Sequence, residues 1–328
     1  MSSAESITFE YSKNAEKPND TRLDEPKHAT KKLINNNYII KLQKCGFNKI
    51  AEEVLHCGDY LTFSLQEHIM TSEQRRRLKR ANMCKNRFCS YCNWRRSLNL
   101  TDELRRALEH IKKQRQIEIL FLTLTAKNEP IERLRETIKY MNNAFHKMQR
   151  TKRFKSSILG YVKAIEVLGS KTPTGQSHVH FHCLLVVPSH YFKTKYYIKH
   201  SEWVEMWQKA LRVDYTPIVD VRRIKAKGNW SAEKSASKET IKYSIKHTDL
   251  TSRTDEDFTH IINQTKGMRF ISTGGILKEM INLQRIEDAK IKQEPDPYWY
   301  EIAEEIYQWM NGDYRLKEIK PPQKKEES

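Results

Sequence analysis

Long apolar runs are missing from this 328-residue chain: only 38% of its residues are hydrophobic, and the longest strongly apolar stretch is Cys183–Val187. Nothing approaches the roughly eighteen apolar residues a membrane span needs. The opening MSSAESITFEYSKN lacks the basic-then-apolar layout of a secretory signal, so a cytoplasmic protein is expected. No internal repeat is visible, and no glycine-rich nucleotide-binding loop. The six cysteines do not read as a disulfide framework; clustered thiols in a cytosolic chain are better explained as metal ligands.

What the chain does have is positive charge. Lys and Arg number 59 against 41 Asp and Glu, a formal net charge of +18. That excess says little about fold, but it favours a polyanionic partner, with nucleic acid ahead of a merely lysine-rich surface.

Apolar periodicity places the elements. Residues 1–37 read as a polar, disordered arm. Leu100, Leu104, Leu108 and Ile111 recur at helical spacing, and Ile117–Thr125 (IEILFLTLT) reads as a buried strand. Pro130 opens a second amphipathic helix with Leu134, Ile138, Met141, Phe145 and Met148 on one stripe. Strands over Ile158–Val167 and Ser177–Val187 follow, joined by the turn GSKTPTGQ. A helix at Glu202–Val213, a strand at Pro217–Ile224 and helices at Ala232–Lys246 and 254–292 come next. A short aromatic helix over 298–310 and a charged tail, 311–328, close the chain. Strands interleaved with helices around a hairpin predict an α+β fold, not a doubly wound parallel sheet.

Cys57, Cys84, Cys89 and Cys92 are spaced C-x26-C-x4-C-x2-C. The short C-x2-C pair suits a tetrahedral zinc at about 2.3 Å per sulfur, and four sulfurs without a nearby base imply a closed, structural Zn²⁺ site. His56 is an alternative distant ligand, and ordinary buried thiols are the bland reading. The surrounding CKNRFCSYCNWRRS makes Arg87, Arg95 and Arg96 candidate DNA-binding residues, so 38–99 is expected to be a zinc-binding, DNA-contacting segment. Cys45 and Cys183 read as small core residues.

His178, His180 and His182 occupy alternate positions in SHVHFHCLLVV, so they point to one face of a strand about 7 Å apart. Three imidazoles in register repel when charged, and a shared metal removes that conflict by keeping them neutral. Glu166, near the end of the preceding strand, is either a further ligand or an exposed strand charge. Nitrogen and carboxylate donors together suit Mg²⁺ or Mn²⁺ on a phosphate, or Zn²⁺ in some hydrolases. In SKETIKYSIKHTDL, Glu239 precedes Tyr243 by four residues, placing both on one helical face about 6 Å apart, with Lys242 and Lys246 flanking the ring. A phenol of pKa about 10 needs nearby cations or a metal to act as a nucleophile; spacing alone favours a packing tyrosine.

Taken in order, these pieces resemble the rolling-circle plasmid replication initiators of the HUH endonuclease superfamily, single-tyrosine type. The name describes two histidines around a hydrophobic residue, here His180-Phe181-His182. FLTLTAKN, residues 121–128, resembles the family's first motif, RFCSYCNWRRS its cysteine-rich segment, and KETIKYSIKHTD its tyrosine motif. The likeness spans roughly residues 45–250. Where many relatives carry an aromatic residue and a proline around the first histidine, this chain has Ser177 and Val179, leaving His178 and Glu166 as rival third ligands.

The resemblance implies a central antiparallel sheet flanked by helices, an N-terminal zinc-binding segment, a nicking domain over 100–250 and a helical region over 251–310. It implies a divalent metal on His180 and His182, Tyr243 as nucleophile giving a 5′-phosphotyrosine and a 3′-hydroxyl, and Glu239 activating water to end the round. DNA at a plasmid origin, with a host helicase and polymerase, would be the partners. A relaxase or single-tyrosine transposase shares this chemistry, and a non-catalytic zinc-dependent nucleic-acid-binding regulator is the alternative from another class.

Overall fold

A computed structural model describes residues 22–169, 171–225, 233–235, 237, 247–291 and 296–322, with backbone alone at 247, 248 and 287–291. The chain divides into two compact units. One comprises Met1–Thr30, Gly58–Asn82 and Tyr298–Ser328; the other comprises Lys31–Cys57 and Met83–Pro297.

The smaller unit is an antiparallel sheet of β1 (Tyr60–His68), β2 (Gln74–Ala81), β10 (Trp299–Met310) and β11 (Asp313–Lys320), in the order β11-β10-β1-β2. Leu61, Phe63, Ala303, Tyr307 and Tyr314 form its buried face. Here the structure corrects the expected aromatic helix over 298–310, and the charged tail after it begins as a strand. The stretch WYEIAEEIYQWM carries aromatic and β-branched residues, which fit a pleated surface. It runs into Asn311-Gly312, a two-residue loop closed by the Met310–Asp313 pair with φ +50° and +85°. That is the left-handed backbone of a type I′ hairpin. Glu301, Glu304 and Glu305 of β10 pair with Arg76, Lys79 and Arg80 of β2.

The end of the arm expected to be disordered is also ordered. Helices α1 (Pro26–Leu33) and α2 (Asn35–Lys44) occupy residues 26–44, with Tyr38 and Leu42 fully buried. The segment 38–99 is not one unit: α2 and α3 (Asn48–Leu55) belong to the larger unit, while β1 and β2 belong to the smaller one.

The larger unit is built on a five-stranded sheet of β3 (Ile117–Thr125), β5 (Gly160–Glu166), β7 (His180–Pro188), β8 (Val219–Arg223) and β9 (Ile271–Gly275). Its order is β8-β3-β7-β5-β9, and every neighbouring pair is antiparallel. Short strands β4 (Glu129–Pro130) and β6 (Gln176–Ser177) pair beside it. The α+β class, with a central antiparallel sheet flanked by helices, is as expected.

Strand β7 is central and buried on both faces, so its alternation decides which side each residue serves. On one side Leu184 and Val186 pack with Leu104, Leu108 and Ile111 of α4 (Ser90–Gln114) and Leu277 and Ile281 of α10 (Ile276–Ile291). On the other, Phe181 meets Phe145 of α5 (Leu134–Arg150) and Trp207 of α7 (His200–Leu211). The Trp207 indole N–H donates to the Thr125 carbonyl at 2.7 Å, pinning the end of β3. Helices α6 (Lys152–Ser157), α8 (His247–Thr251) and α9 (Asp255–Thr265) complete the unit. Among the described residues no helix is long and apolar enough to cross a membrane.

Candidate metal centres and nicking site

His180 and His182 stand on the α4 side of β7, two residues apart and therefore on one face. Glu166 ends β5 directly opposite His180 in the ladder. One carboxylate oxygen of Glu166 lies 2.9 Å from the Nε2 of His180 and 2.9 Å from the Nε2 of His182. All three residues are buried, at 7–8% exposure. A carboxylate out of water is costly unless it is paired. Burial would raise the Glu166 carboxyl, but the two imidazoles outweigh it and hold it at about 2.

The outer nitrogens fix the rings. His180 Nδ1 lies 3.0 Å from the His178 carbonyl, which can only accept, so Nδ1 carries the proton and Nε2 presents a lone pair to Glu166 in the neutral ring. His182 Nδ1 meets the Thr123 hydroxyl at 3.3 Å, and its ring stacks on Phe121 with centroids 5.5 Å apart. A lone pair facing a carboxylate at this distance calls for a cation or a proton between them. Two nitrogens and an oxygen converging from adjacent strands therefore fit a small divalent cation with coordination positions to spare.

His178 is set apart from this group. It precedes the strand, its ring turns to Asn128 with Nδ1 2.6 Å from the amide oxygen, and burial next to His180 lowers its pKa. Of the two rivals for a third ligand, the geometry favours Glu166. Phe121, Thr123 and Asn128 were not singled out individually, although all three lie within the FLTLTAKN motif that carries the family resemblance.

The four cysteines also converge. Cys57 Sγ lies 3.5 Å from Cys92 Sγ and 3.6 Å from Cys89 Sγ, and Cys84 Sγ lies 3.6 Å from Cys92 Sγ. Disulfides require about 2.05 Å, whereas a tetrahedral zinc would hold its sulfurs about 3.8 Å apart. Cys89 caps α4 by accepting the Cys92 amide at 3.5 Å, and it also accepts an Asn35 side-chain N–H at 3.3 Å. Such N–H···S bonds favour thiolate, the ligand form. His56 is not a member of the group.

Arg87 donates to the Met268 carbonyl and lies over Phe270, 4.0 Å from the ring centroid. Burial, and the nearby Arg96 charge, bring the Arg87 guanidinium down to about 10. Arg96 donates to the Lys85 carbonyl at 3.4 Å, and Arg95 lies 5.6 Å from the Trp94 ring centroid. Glu239, Lys242, Tyr243 and Lys246 lie outside the described residues.

Over residues 75–315 the sequence matches a family described as replication protein, a span that takes in three of the four cysteines, the histidine strand and Tyr243. The chain belongs to the replication protein family. It is 37% identical over 268 residues to Protein rep of Lentilactobacillus hilgardii, covering 79% of this chain and 82% of that one. It is 33% identical over 297 residues to Protein rep of Bacillus amyloliquefaciens, covering 83% and 86%. With a replication protein of Staphylococcus aureus it shares 31% identity over 227 residues, 64% of this chain and 95% of that one. No solved structure matches. Membership of the replication protein family bears out the likeness to replication initiators.

Proposed function

We propose that this replication protein initiates rolling-circle plasmid replication by nicking one DNA strand at the Glu166–His180–His182 site. The observation that carries this reading is the single Glu166 oxygen 2.9 Å from both imidazole nitrogens, a donor set that calls for a cation. Mg²⁺ or Mn²⁺ held there would polarise the scissile phosphodiester and stabilise the charge that develops on its oxygens.

The chain's own residues do the rest. Glu166 orients both Nε2 atoms toward one point, while the His178 carbonyl and the Thr123 hydroxyl fix the ring planes. The Tyr243 phenol loses its proton and attacks phosphorus. A P–O bond to tyrosine forms and the P–O3′ bond breaks, and the 3′ oxygen takes up a proton. The products are a 5′-phosphotyrosine and a 3′-hydroxyl primer, and because one ester replaces another, rejoining stays open. Glu239 then acts as general base on water to end the round.

The cysteine group would hold a structural Zn²⁺ that ties the turn after α3 to the start of α4. Incubation of labelled origin DNA with the protein and Mn²⁺ tests the reading. A covalent protein–DNA adduct is expected, absent in Tyr243→Phe and in reactions without added divalent metal. An adduct undiminished in Tyr243→Phe overturns the assignment.

A further inference from the structure

One strand away from the candidate nicking site, the surface is concave and cationic. The amide of Ile165, the neighbour of Glu166, donates to the Phe270 carbonyl at 2.8 Å, which puts the stretch preceding β9 alongside the acidic end of β5. There Arg269 lines a cavity of about 320 Å³ together with Lys85, Arg87 and Arg96. Lys85 and Arg87 also line a second cavity of about 550 Å³, whose walls include the half-buried rings of Phe47 and Phe88 and a single carboxylate, Glu53. Two cavities with two cations in common make one trench.

Among the described residues its charges have no anionic partner. Among the described residues Arg87 and Arg96 donate only to backbone carbonyls, those of Met268 and Lys85, and neither Lys85 nor Arg269 pairs with a carboxylate. Lys85 sits at φ +58°, a left-handed backbone that a residue with a Cβ adopts at a cost. Four like charges held together by carbonyls and a ring repel one another until an anion with several oxygens lies among them.

We infer that this trench binds the sugar–phosphate backbone of single-stranded DNA, with phosphates at Lys85, Arg87, Arg96 and Arg269 and a base against Phe47 and Phe88. Cations along a groove interleaved with exposed ring faces are the means by which single strands are bound without base readout. Cavities of a few hundred Å³ admit single nucleotides, not a stacked duplex. The inference rests on the nicking reading in one respect: it makes the trench the path along which the strand lies beside the site. A rival account has the same cations merely offsetting the thiolates of Cys84 and its partners.

Fluorescence anisotropy with a labelled oligothymidylate of about 12 nucleotides tests this on the full-length protein, without added Mg²⁺ or Mn²⁺, so that no step of nicking is involved. For Arg96→Gln/Arg269→Gln, affinity is expected to fall about tenfold or more, and the slope of log K against log salt to shrink by about 0.7 for each phosphate no longer neutralised. Protein-bound zinc should stay at the parent's level. The exposed Arg269→Gln alone, which disturbs no hydrogen bond among the described residues, should give a smaller change in the same direction. Unchanged affinity and slope overturn the inference. Loss of zinc in step with loss of binding also overturns it, because the cations then serve the cysteine group. Equal affinity for a duplex of the same length overturns it too. Intact oligonucleotide binding together with a failed adduct assay would leave the trench standing and remove the nicking reading.

Discussion

The cysteine and histidine clusters of the larger unit are built in opposite ways. The cysteine group gathers its donors from the turn after α3, the loop before α4 and the first turn of α4, and its four sulfurs close on one another. The histidine group takes its donors from two neighbouring strands already in register, and it offers three ligand atoms where four or more are needed. Loops that converge on sulfur depend largely on whatever the sulfurs hold, with Asn35, which bonds both Cys89 and Ser90, as a further tie. A sheet that presents two imidazoles and a carboxylate would stand without them. Loss of one set should cost the fold, and loss of the other only the chemistry.

The largest effect that would sharpen this contrast is on nicking. His180→Gln/His182→Gln, which leaves amide donors beside the buried Glu166, should reduce oligonucleotide cleavage by roughly three orders of magnitude while the melting temperature moves little, since the apolar layers on both faces of the sheet stay intact. Cleavage retained within tenfold would break the comparison. Next, Cys89→Ser/Cys92→Ser should abolish zinc binding and destabilise the segment by more than about 3 kcal/mol, read by calorimetry with a parallel zinc assay. A parent-like transition in that variant would show that the sulfurs are not structural.

A buried cation on the opposite face supplies a third test. Glu166 is a buried anion stabilised by its neighbours, whereas Lys163 is a buried cation without a carboxylate among the described residues. It donates to Asn142 and lies over the rings of Phe145 and Phe181 at 4.8 and 4.3 Å, yet burial brings its pKa down to about 8. Between that value and about 10.4 the unfolded chain binds more protons at this site than the folded one. The penalty is therefore complete below pH 8 and lifts as the pH rises through that window. Lys163→Met should gain about 1–3 kcal/mol at pH 7, measured by urea unfolding, with the gap to the parent narrowing above pH 8. A gap independent of pH would contradict the assignment. The smallest effect concerns ring orientation: Thr123→Val should weaken Mn²⁺ binding about tenfold, read by calorimetric titration, and leave stability nearly unchanged. Equal affinity in Thr123→Val would mean that the hydroxyl does not orient His182.

Much of the histidine site was legible because a strand's period is two. Once HVHFHCLLVV is read as a strand, His180 and His182 must share a face and the apolar residues between them the other, although both faces prove to be buried. The ladder register was not legible. Glu166 stands opposite His180 only because β5 and β7 pair as they do, and no local signal separates a ligand there from a strand charge. His178 belonged to the same alternation, but the strand begins at His180 and its ring turned to Asn128 instead. The aromatic segment 299–310 was misread for the opposite reason. Its local spacing admits a helix, and the decisive signal was the Asn-Gly pair that follows it, which turns the chain back as a hairpin. The cationic trench draws on Lys85–Arg96 and on Arg269, far apart in sequence, so only the fold could assemble it.

The central claim is that the phenol at 243 becomes joined to DNA. Peptide mass spectrometry of the protein after reaction with a short origin oligonucleotide and Mn²⁺ tests it directly. The account predicts a nucleotide mass on the peptide containing Tyr243, lost in Tyr243→Phe. Cleaved DNA with that peptide unmodified, or with the nucleotide on a different residue, would contradict it.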